Sequence, residues 1–228
     1  MPLKLLCLTD IHGKISSLNT ILGKVLLNQK VDLITISGDI SHFGNGEDIE
    51  QTLNVIDKTG VPYCYVLGNC DPIEFRGGVR SKGSCLETEC KSYFGITLIG
   101  CGGSTPTPFG TPFEINEEEM LRIITKNIAE CYGEHSANAL MLVVHNPPRG
   151  EVVDRTRTNL HVGSVKLRDL ILKTSPLMVQ CGHIHEAIGV EHVGRTVVFN
   201  PGPAFRGNYA LVEVDNLRGG VCVAHGTA

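Results

Sequence analysis

The chain has 228 residues and a mass of 24.7 kDa, enough for one domain with a large apolar core. With 42% hydrophobic and 19% charged residues, a net charge of −4 and a pI near 6.1, it carries no cationic surplus for bulk nucleic-acid binding. The opening apolar run, Leu3 to Leu8, is broken by Thr9-Asp10 too early for a secretory signal, and no later run approaches a membrane span. A cytoplasmic protein with no membrane partner is therefore expected.

Leu3 to Leu8 reads as a strand ending in Asp10-Ile11-His12-Gly13. A helix follows, with Ser16 or Ser17 as N-cap and Leu18, Ile21, Leu22, Val25 and Leu26 at helical spacing. Asp32 to Ser37 is a β-branched apolar run, the mark of a buried strand, and Gly38 lets the chain turn sharply to present Asp39, followed by Ile40-Ser41-His42. Glu47 to Lys58 is an amphipathic helix closed by Gly60, and Val61 to Leu67 is a third strand ending in Gly68-Asn69-Cys70-Asp71. This βαβ rhythm implies a parallel sheet.

Beyond a basic, glycine-rich stretch from Pro72 to Gly83, Ile96 to Cys101 reads as another strand. Gly102 to Pro112 is too rich in breakers to be regular; it is either a lid or a plain surface loop. Asn116 caps a helix through about Tyr132, with Glu117, Glu118 and Glu119 in its first turn. Ala139 to Val144 is a strand ending in His145-Asn146-Pro147-Pro148, and an irregular segment from Arg149 to His161 follows. Gly163 or Ser164 opens a helix through Leu172, and Leu177 to Cys181 is a strand ending in Gly182-His183-Ile184-His185. The remaining pieces, Ala187 to Val193, Thr196 to Phe199, Tyr209 to Val214 and Val221 to Ala224, give the tail an antiparallel character.

The 9 cysteines are odd in number and contain no Cys-x-x-Cys pair, which argues against a secreted disulfide framework. Cys7, Cys101, Cys181 and Cys222 lie on apolar stretches and read as small buried hydrophobes.

Open α/β sheets place ligand sites beyond the carboxyl ends of their strands. Asp10, His12, Asp39, Asn69, His145, His183 and His185 all arrive at such points. One histidine at a strand end is usually a hydrogen-bonded structural residue, but burying this whole set without a cation would cost several kcal/mol per charge. Imidazole, carboxylate and amide oxygen suit Mn, Fe, Zn, Ni or Co rather than a cysteine-rich structural zinc. His135, His192 and His225 fall outside any such motif and read as structural.

These motifs together resemble the calcineurin-like metallophosphoesterases, whose pattern is Asp-x-His, Gly-Asp, Gly-Asn-His-Asp/Glu, His and Gly-His-x-His. Here it stands as Asp10/His12, Gly38/Asp39, Gly68-Asn69-Cys70-Asp71, His145 and Gly182-His183-Ile184-His185. Asn200-Pro201-Gly202 is similar to a structural turn of the smaller members, and the run from His145 to Glu186 is similar to a stand-alone branch that includes mammalian metallophosphoesterase-domain proteins. The resemblance implies one α/β domain spanning residues 1–228, folded as a four-layer αββα sandwich with two mixed β-sheets flanked by helices. It also implies two divalent ions, manganese first among the candidates. Asp10, His12, Asp39 and His185 would hold one ion and Asp39, Asn69, His145 and His183 the other, with Asp39 bridging. Such a pair, about 3.5–4 Å apart, would generate the hydroxide that attacks phosphorus in line.

Two positions depart from the pattern. Cys70 stands where many members have a histidine that protonates the leaving group, and a thiol with a reference pKa of ~8.5 is a weaker acid. His42 stands where phosphoprotein phosphatases of the family have aspartate, and it is either the missing acid or a solvent-facing residue. His161 is a second candidate for that task and for substrate binding, and Arg149 and Arg155 are candidates for the phosphate. The resemblance implies a phosphoesterase acting on a small phosphate ester, Cys70 and the absent aspartate at position 42 point to a phosphodiesterase, and a homo-oligomer is left open. The alternatives are an interaction scaffold of the same fold, a role that goes with loss of ligands, and a nuclease, which the acidic balance disfavours.

Overall fold

The computed structural model describes residues 2–132, 139–216 and 220–228, so His135 lies outside the described residues. In chain order the elements are β1 (Leu3–Leu8), α1 (Ile15–Asn28), β2 (Leu33–Ser37), α2 (Gly46–Asp57), β3 (Tyr63–Val66), β4 (Ser84–Cys85), β5 (Lys91–Tyr93), β6 (Ile96–Cys101) and α3 (Glu117–Asn127). A π-helical turn, Ile128–Tyr132, continues α3. There follow β7 (Ala139–Val144), α4 (Val165–Thr174), β8 (Met178–Gln180), β9 (Gly189–Val193), β10 (Thr196–Asn200), β11 (Asn208–Asn216) and β12 (Gly220–Thr227).

The strands form two six-stranded mixed sheets, ordered β12-β11-β1-β2-β3-β4 and β5-β6-β7-β8-β10-β9. Alternation along β1 explains the layering, because a strand's successive side chains point to opposite faces. Leu6 and Leu8 pack outward with Leu18, Ile21 and Val25 of α1 and Ile49, Leu53 and Ile56 of α2. Leu5 and Cys7 point inward, where they meet Met141 and Val143 of β7, Met178 of β8 and Phe199 of β10. On the far side, Ile99, Leu142 and Val179 pack under Met120 and Ile124 of α3 and Leu167 and Ile171 of α4. Three apolar layers thus separate four structural ones, the αββα sandwich that the motifs implied. Sheets covered on both faces read as continuous apolar runs, which is why β2, β6 and β7 are buried at every residue.

Several local expectations are corrected. Helix α1 starts at Ile15 after Lys14 and has no side-chain cap, so neither Ser16 nor Ser17 is the N-cap. Its entry is fixed by backbone bonds, Gly13 N–H to the Ile40 carbonyl (2.8 Å) among them, while Ser17 Oγ donates to the Phe205 carbonyl (3.0 Å). The tail is only partly antiparallel: β9 and β11 form antiparallel pairs with β10 and β12, but β10 runs parallel to β8. Cys222 is exposed because β12 is an edge strand with one open face, whereas Cys7, Cys101 and Cys181 are buried as expected. Cys90 and Cys131 form a disulfide that ties the approach to β5 to the π-helical turn, leaving the other described cysteines free. No helix among the described residues is long and apolar enough to cross a membrane.

At the carboxyl ends of the strands the two sheets are joined by polar contacts instead of apolar ones. Gln180 of β8 donates to the Leu8 carbonyl (2.8 Å) and to Ser37 Oγ (3.2 Å), and its Oε1 accepts from Thr35 Oγ1. Ser37 Oγ in turn donates to the Cys181 carbonyl (3.1 Å). A buried polar group left without its partner costs about 1–3 kcal/mol, so this set stabilises only while complete. Gln180→Leu should therefore lower unfolding free energy by about 2 kcal/mol or more in urea titrations. A variant as stable as the parent would show that the interlock contributes nothing.

Candidate metal centre

The loops that leave β1, β2, β3, β7 and β8 carry every residue nominated as a metal ligand, and both sheets contribute. One ligand atom from each of Asp10, His12, Asp39 and His185 lies within 4.8 Å of the others. The Nε2 atoms of His12 and His185 are 3.3 Å apart. Asp10 Oδ1 is 3.2 Å from His185 Nε2, and Asp39 Oδ2 is 3.5 Å from His12 Nε2. The other carboxylate oxygen of Asp39 faces a second group: Oδ1 is 3.4 Å from His145 Nε2, which is 2.8 Å from Asn69 Oδ1. The His183 ring lies against that of His145, centroids 5.2 Å apart. Asp39 thus presents one carboxylate oxygen to a ring nitrogen of each group.

Local backbone geometry builds this convergence. Asp10, His12, Asp39 and His183 all adopt left-handed φ values, from 49° to 68°, which non-glycine residues adopt uncommonly. Gly68 is obligatory, since a Cβ there would sit 2.0 Å from Asp39 Oδ1 and 2.1 Å from the Asp39 nitrogen. Gly38 combines a φ of 96° with a Cβ position 2.5 Å from His145 Nδ1. His145 Nδ1 faces the Ser37 carbonyl at 2.8 Å; a carbonyl only accepts, so Nδ1 carries a proton and Nε2 is the nitrogen turned into the site.

The donor set passes a direct test of fit for a cation. Asp10 Oδ1 is buried and has no hydrogen-bond partner, although its sister oxygen accepts from Thr9 Oγ1 (2.8 Å) and the His183 N–H (3.2 Å). Burial pushes His12 down to about 4 and His183 down to about 3, with neighbouring imidazoles adding to the effect, so both are neutral with a free lone pair at neutral pH. Burial would raise Asp10, but the His185 ring 3.2 Å away and the fields of His145 and His12 hold it below the usual carboxylate range. Asp39 is pushed up to about 7 by burial, which His145 opposes and the charges of Asp10 and Asp71 reinforce. A cation facing Asp39 would remove that cost.

Residues outside the nominated ligand set hold the loops in place. Asp71, fully buried, accepts from the N–H groups of Ile40 (3.0 Å), Ser41 (2.7 Å) and Gly68 (2.8 Å) and from Ser41 Oγ (2.8 Å), tying the Asp39 loop to the Asn69 loop. Asn200 Nδ2 donates to the carbonyl of Ile184, the residue between two site histidines (3.0 Å). Gly102 to Pro112 is braced by Glu114 Oε1, which accepts from Thr107 and Thr111, and Phe113 N–H bonds the Asn69 carbonyl (3.1 Å). Glu87 Oε1 accepts from the Leu67 N–H at the end of β3 (2.9 Å), with Arg76 Nε 3.4 Å from the other oxygen.

The nominated acids and substrate contacts are placed less uniformly. Cys70 is buried beside Asp39, whose Oδ1 accepts the Cys70 N–H (2.8 Å); burial and the Asp39 charge push its thiol up. His42 is exposed at the rim, its Nδ1 3.1 Å from His12 Nδ1. Arg149 donates to the His161 carbonyl (3.1 Å), Arg155 to Asn159 (2.7 Å), and His161 Nδ1 to Asp154 (2.8 Å), so all three are engaged within their own loop. Sequence reasoning missed Phe205, whose ring packs 5.4 Å from that of His12 and 5.2 Å from that of His185. Its only sequence signal was nearness to the Asn200-Pro201-Gly202 turn.

A profile of the calcineurin-like phosphoesterases matches residues 3–187. The chain belongs to that family. It is 32% identical over 209 residues to a protein of Methanocaldococcus jannaschii named as uncharacterized, covering 88% of each chain. A probable glycerophosphodiester phosphodiesterase of Arcobacter nitrofigilis is 25% identical over 193 residues; the match takes in 77% of this chain and 64% of that protein. A crystal structure of a Thermus thermophilus protein superposes with a TM-score of 0.74 at 16% identity, covering 100% of this chain and 99% of that one, which supports the fold.

Glu87 yields a pH prediction. Burial is the largest influence on its carboxyl and raises it from 4.5 to about 8, so the folded state holds this proton more tightly than the unfolded chain. Stability attributable to Glu87 is present below about pH 4.5 and falls as pH rises to about 8. Unfolding titrations should show Glu87→Gln gaining on the parent by about 2 kcal/mol or more between pH 5 and pH 8.5. Parallel pH profiles for the two proteins would contradict this placement of the proton.

Proposed function

We propose that the protein is a two-metal phosphoesterase of one domain, acting on small phosphate esters and preferring diesters. The observation that carries the reading is the buried, unpartnered Asp10 Oδ1 facing the Nε2 atoms of His12 and His185, with Asp39 spanning from that group to His145 and Asn69. Asp10, His12, Asp39 and His185 would hold one ion; Asp39, Asn69, His145 and His183 would hold the other. Divalent ions there would supply Lewis acidity, lowering the pKa of a water and neutralising charge on the phosphate.

The chain's own residues set the rest of the chemistry. The Ser37 carbonyl fixes the His145 tautomer, and the Cys70 N–H steadies the Asp39 carboxylate. The Cys70 thiol keeps its proton at neutral pH and gives it up reluctantly, which favours esters whose leaving groups need little protonation. His42 holds the outer nitrogen of His12 and is open to solvent, so it can deliver a proton at the rim. The diester preference draws on the cysteine in place of a histidine acid and on the name of the Arcobacter relative. An interaction scaffold is the weaker reading because every nominated ligand position keeps a side chain able to coordinate.

Hydrolysis of bis(p-nitrophenyl) phosphate and p-nitrophenyl phosphate by manganese-loaded protein tests the reading. The diester should turn over faster; the reverse order would overturn the diester half. Asp39→Asn should cost about 1,000-fold or more in kcat, because it weakens both groups of ligands, and Cys70→Ala about 10-fold or less. Equal losses would mean that the leaving-group chemistry is misassigned.

A further inference from the structure

Arg206 is the arginine that the fold brings to the edge of the metal centre. It ends the short turn Ala204–Arg206, closed by Gly207 in the left-handed conformation. Its guanidinium carbon lies 5.0 Å from the centroid of the Phe205 ring, and that ring packs against His12 and His185. Among the described residues the guanidinium makes no hydrogen bond or ion pair, and the side chain is exposed. Arg149 and Arg155 instead spend their donors within the 149–161 loop.

The platform beneath Arg206 is fixed at both ends. Phe205 N–H donates to the Asp10 carbonyl (3.1 Å) and the Phe205 carbonyl accepts from Ser17 Oγ (3.0 Å), so the ring is anchored to the ligand loop itself. A planar guanidinium resting on an aromatic face keeps its outward N–H donors free and loses little freedom when it grips a planar anion. The distances place it one aromatic ring away from the His185 imidazole, outside the space that the ligands enclose. It is therefore set to meet a part of the substrate other than the phosphate being hydrolysed.

Resting on the phosphoesterase reading above, we propose that Arg206, held by Phe205, is a specificity-determining residue that binds a second anionic group, a carboxylate or a further phosphate, on the organic portion of the ester. The substrate class is then an ester carrying negative charge at two points, one ring's length apart, and not an ester of a neutral alcohol. Phe205 would also line the path of a planar organic group between the two anions.

Calorimetric binding of phenylphosphonate and 4-phosphonobenzoate to manganese-loaded protein separates this proposal from the activity itself. The two probes share the phosphonate and differ by one carboxylate across a ring. The parent should bind 4-phosphonobenzoate about 10-fold more tightly, the preference should fall below about 2-fold in Arg206→Gln, and Arg206→Lys should keep part of it. Equal affinities in the parent, a preference that survives Arg206→Gln, or a variant that weakens both probes by one factor would each overturn it. If phenylphosphonate does not bind at all, the metal-centre reading fails and this proposal with it; binding of both probes without discrimination sinks the proposal alone.

Discussion

The clustered Asp and His side chains of one site come from two different sheets, so the carboxyl ends of those sheets have to be held at a fixed separation. The Ser37 carbonyl sits at that seam: it receives Nδ1–H of His145 from the second sheet, while Ser37 Oγ bonds the Cys181 carbonyl and accepts from Gln180. An apolar interface can slide by fractions of an ångström at little cost, whereas a hydrogen bond weakens steeply with distance and angle. Polar fastening at this end, and apolar packing of Leu5, Val66, Met141 and Phe199 elsewhere, gives the molecule a firm core and a registered site. The same bond that registers the sheets also decides which nitrogen of His145 faces inward, so architecture and chemistry share one contact.

Convergence has a cost that the surrounding fold offsets. Four site residues hold left-handed backbone conformations, each worth about 1 kcal/mol or more of strain for a residue with a Cβ. Asp71 opposes the relaxation of the Asp39 loop by accepting three hydrogen bonds from it while a fourth, from the Gly68 N–H, ties it to the Asn69 loop. Buried carboxylates add electrostatic cost, visible in the raised Asp39 carboxyl. Packing, hydrogen bonds and strain thus assemble a cluster of lone pairs that is unfavourable until positive charge arrives.

Strand-end chemistry was legible in the sequence because parallel sheets buried on both faces announce themselves as apolar runs, and Asp10, Asp39, Asn69, His145, His183 and His185 follow such runs directly. The four-layer arrangement was legible only through resemblance, since alternation along Leu5, Leu6, Cys7 and Leu8 is invisible when all four are apolar. Two-residue β4 and three-residue β5 were missed because strands so short carry no period. The start of α1 was misread because tertiary backbone bonds set it, leaving Ser17 free for Phe205. Gln180, Glu87 and Asp71 were opaque for a related reason: a buried polar residue reveals its partners only once distant loops meet. Phe205 and Arg206 lie in the turn after β10, far in sequence from the first site loop, and no motif linked the two.

Metal stoichiometry is the most direct measure of whether these lone pairs form a binuclear centre. Apo protein dialysed against Mn2+ and analysed for metal should hold two ions per chain, with Asp10→Ala and Asn69→Ala each reduced to one and Asp39→Ala to none held tightly. Protein that binds no manganese, or a single ion insensitive to Asp39, would contradict the account.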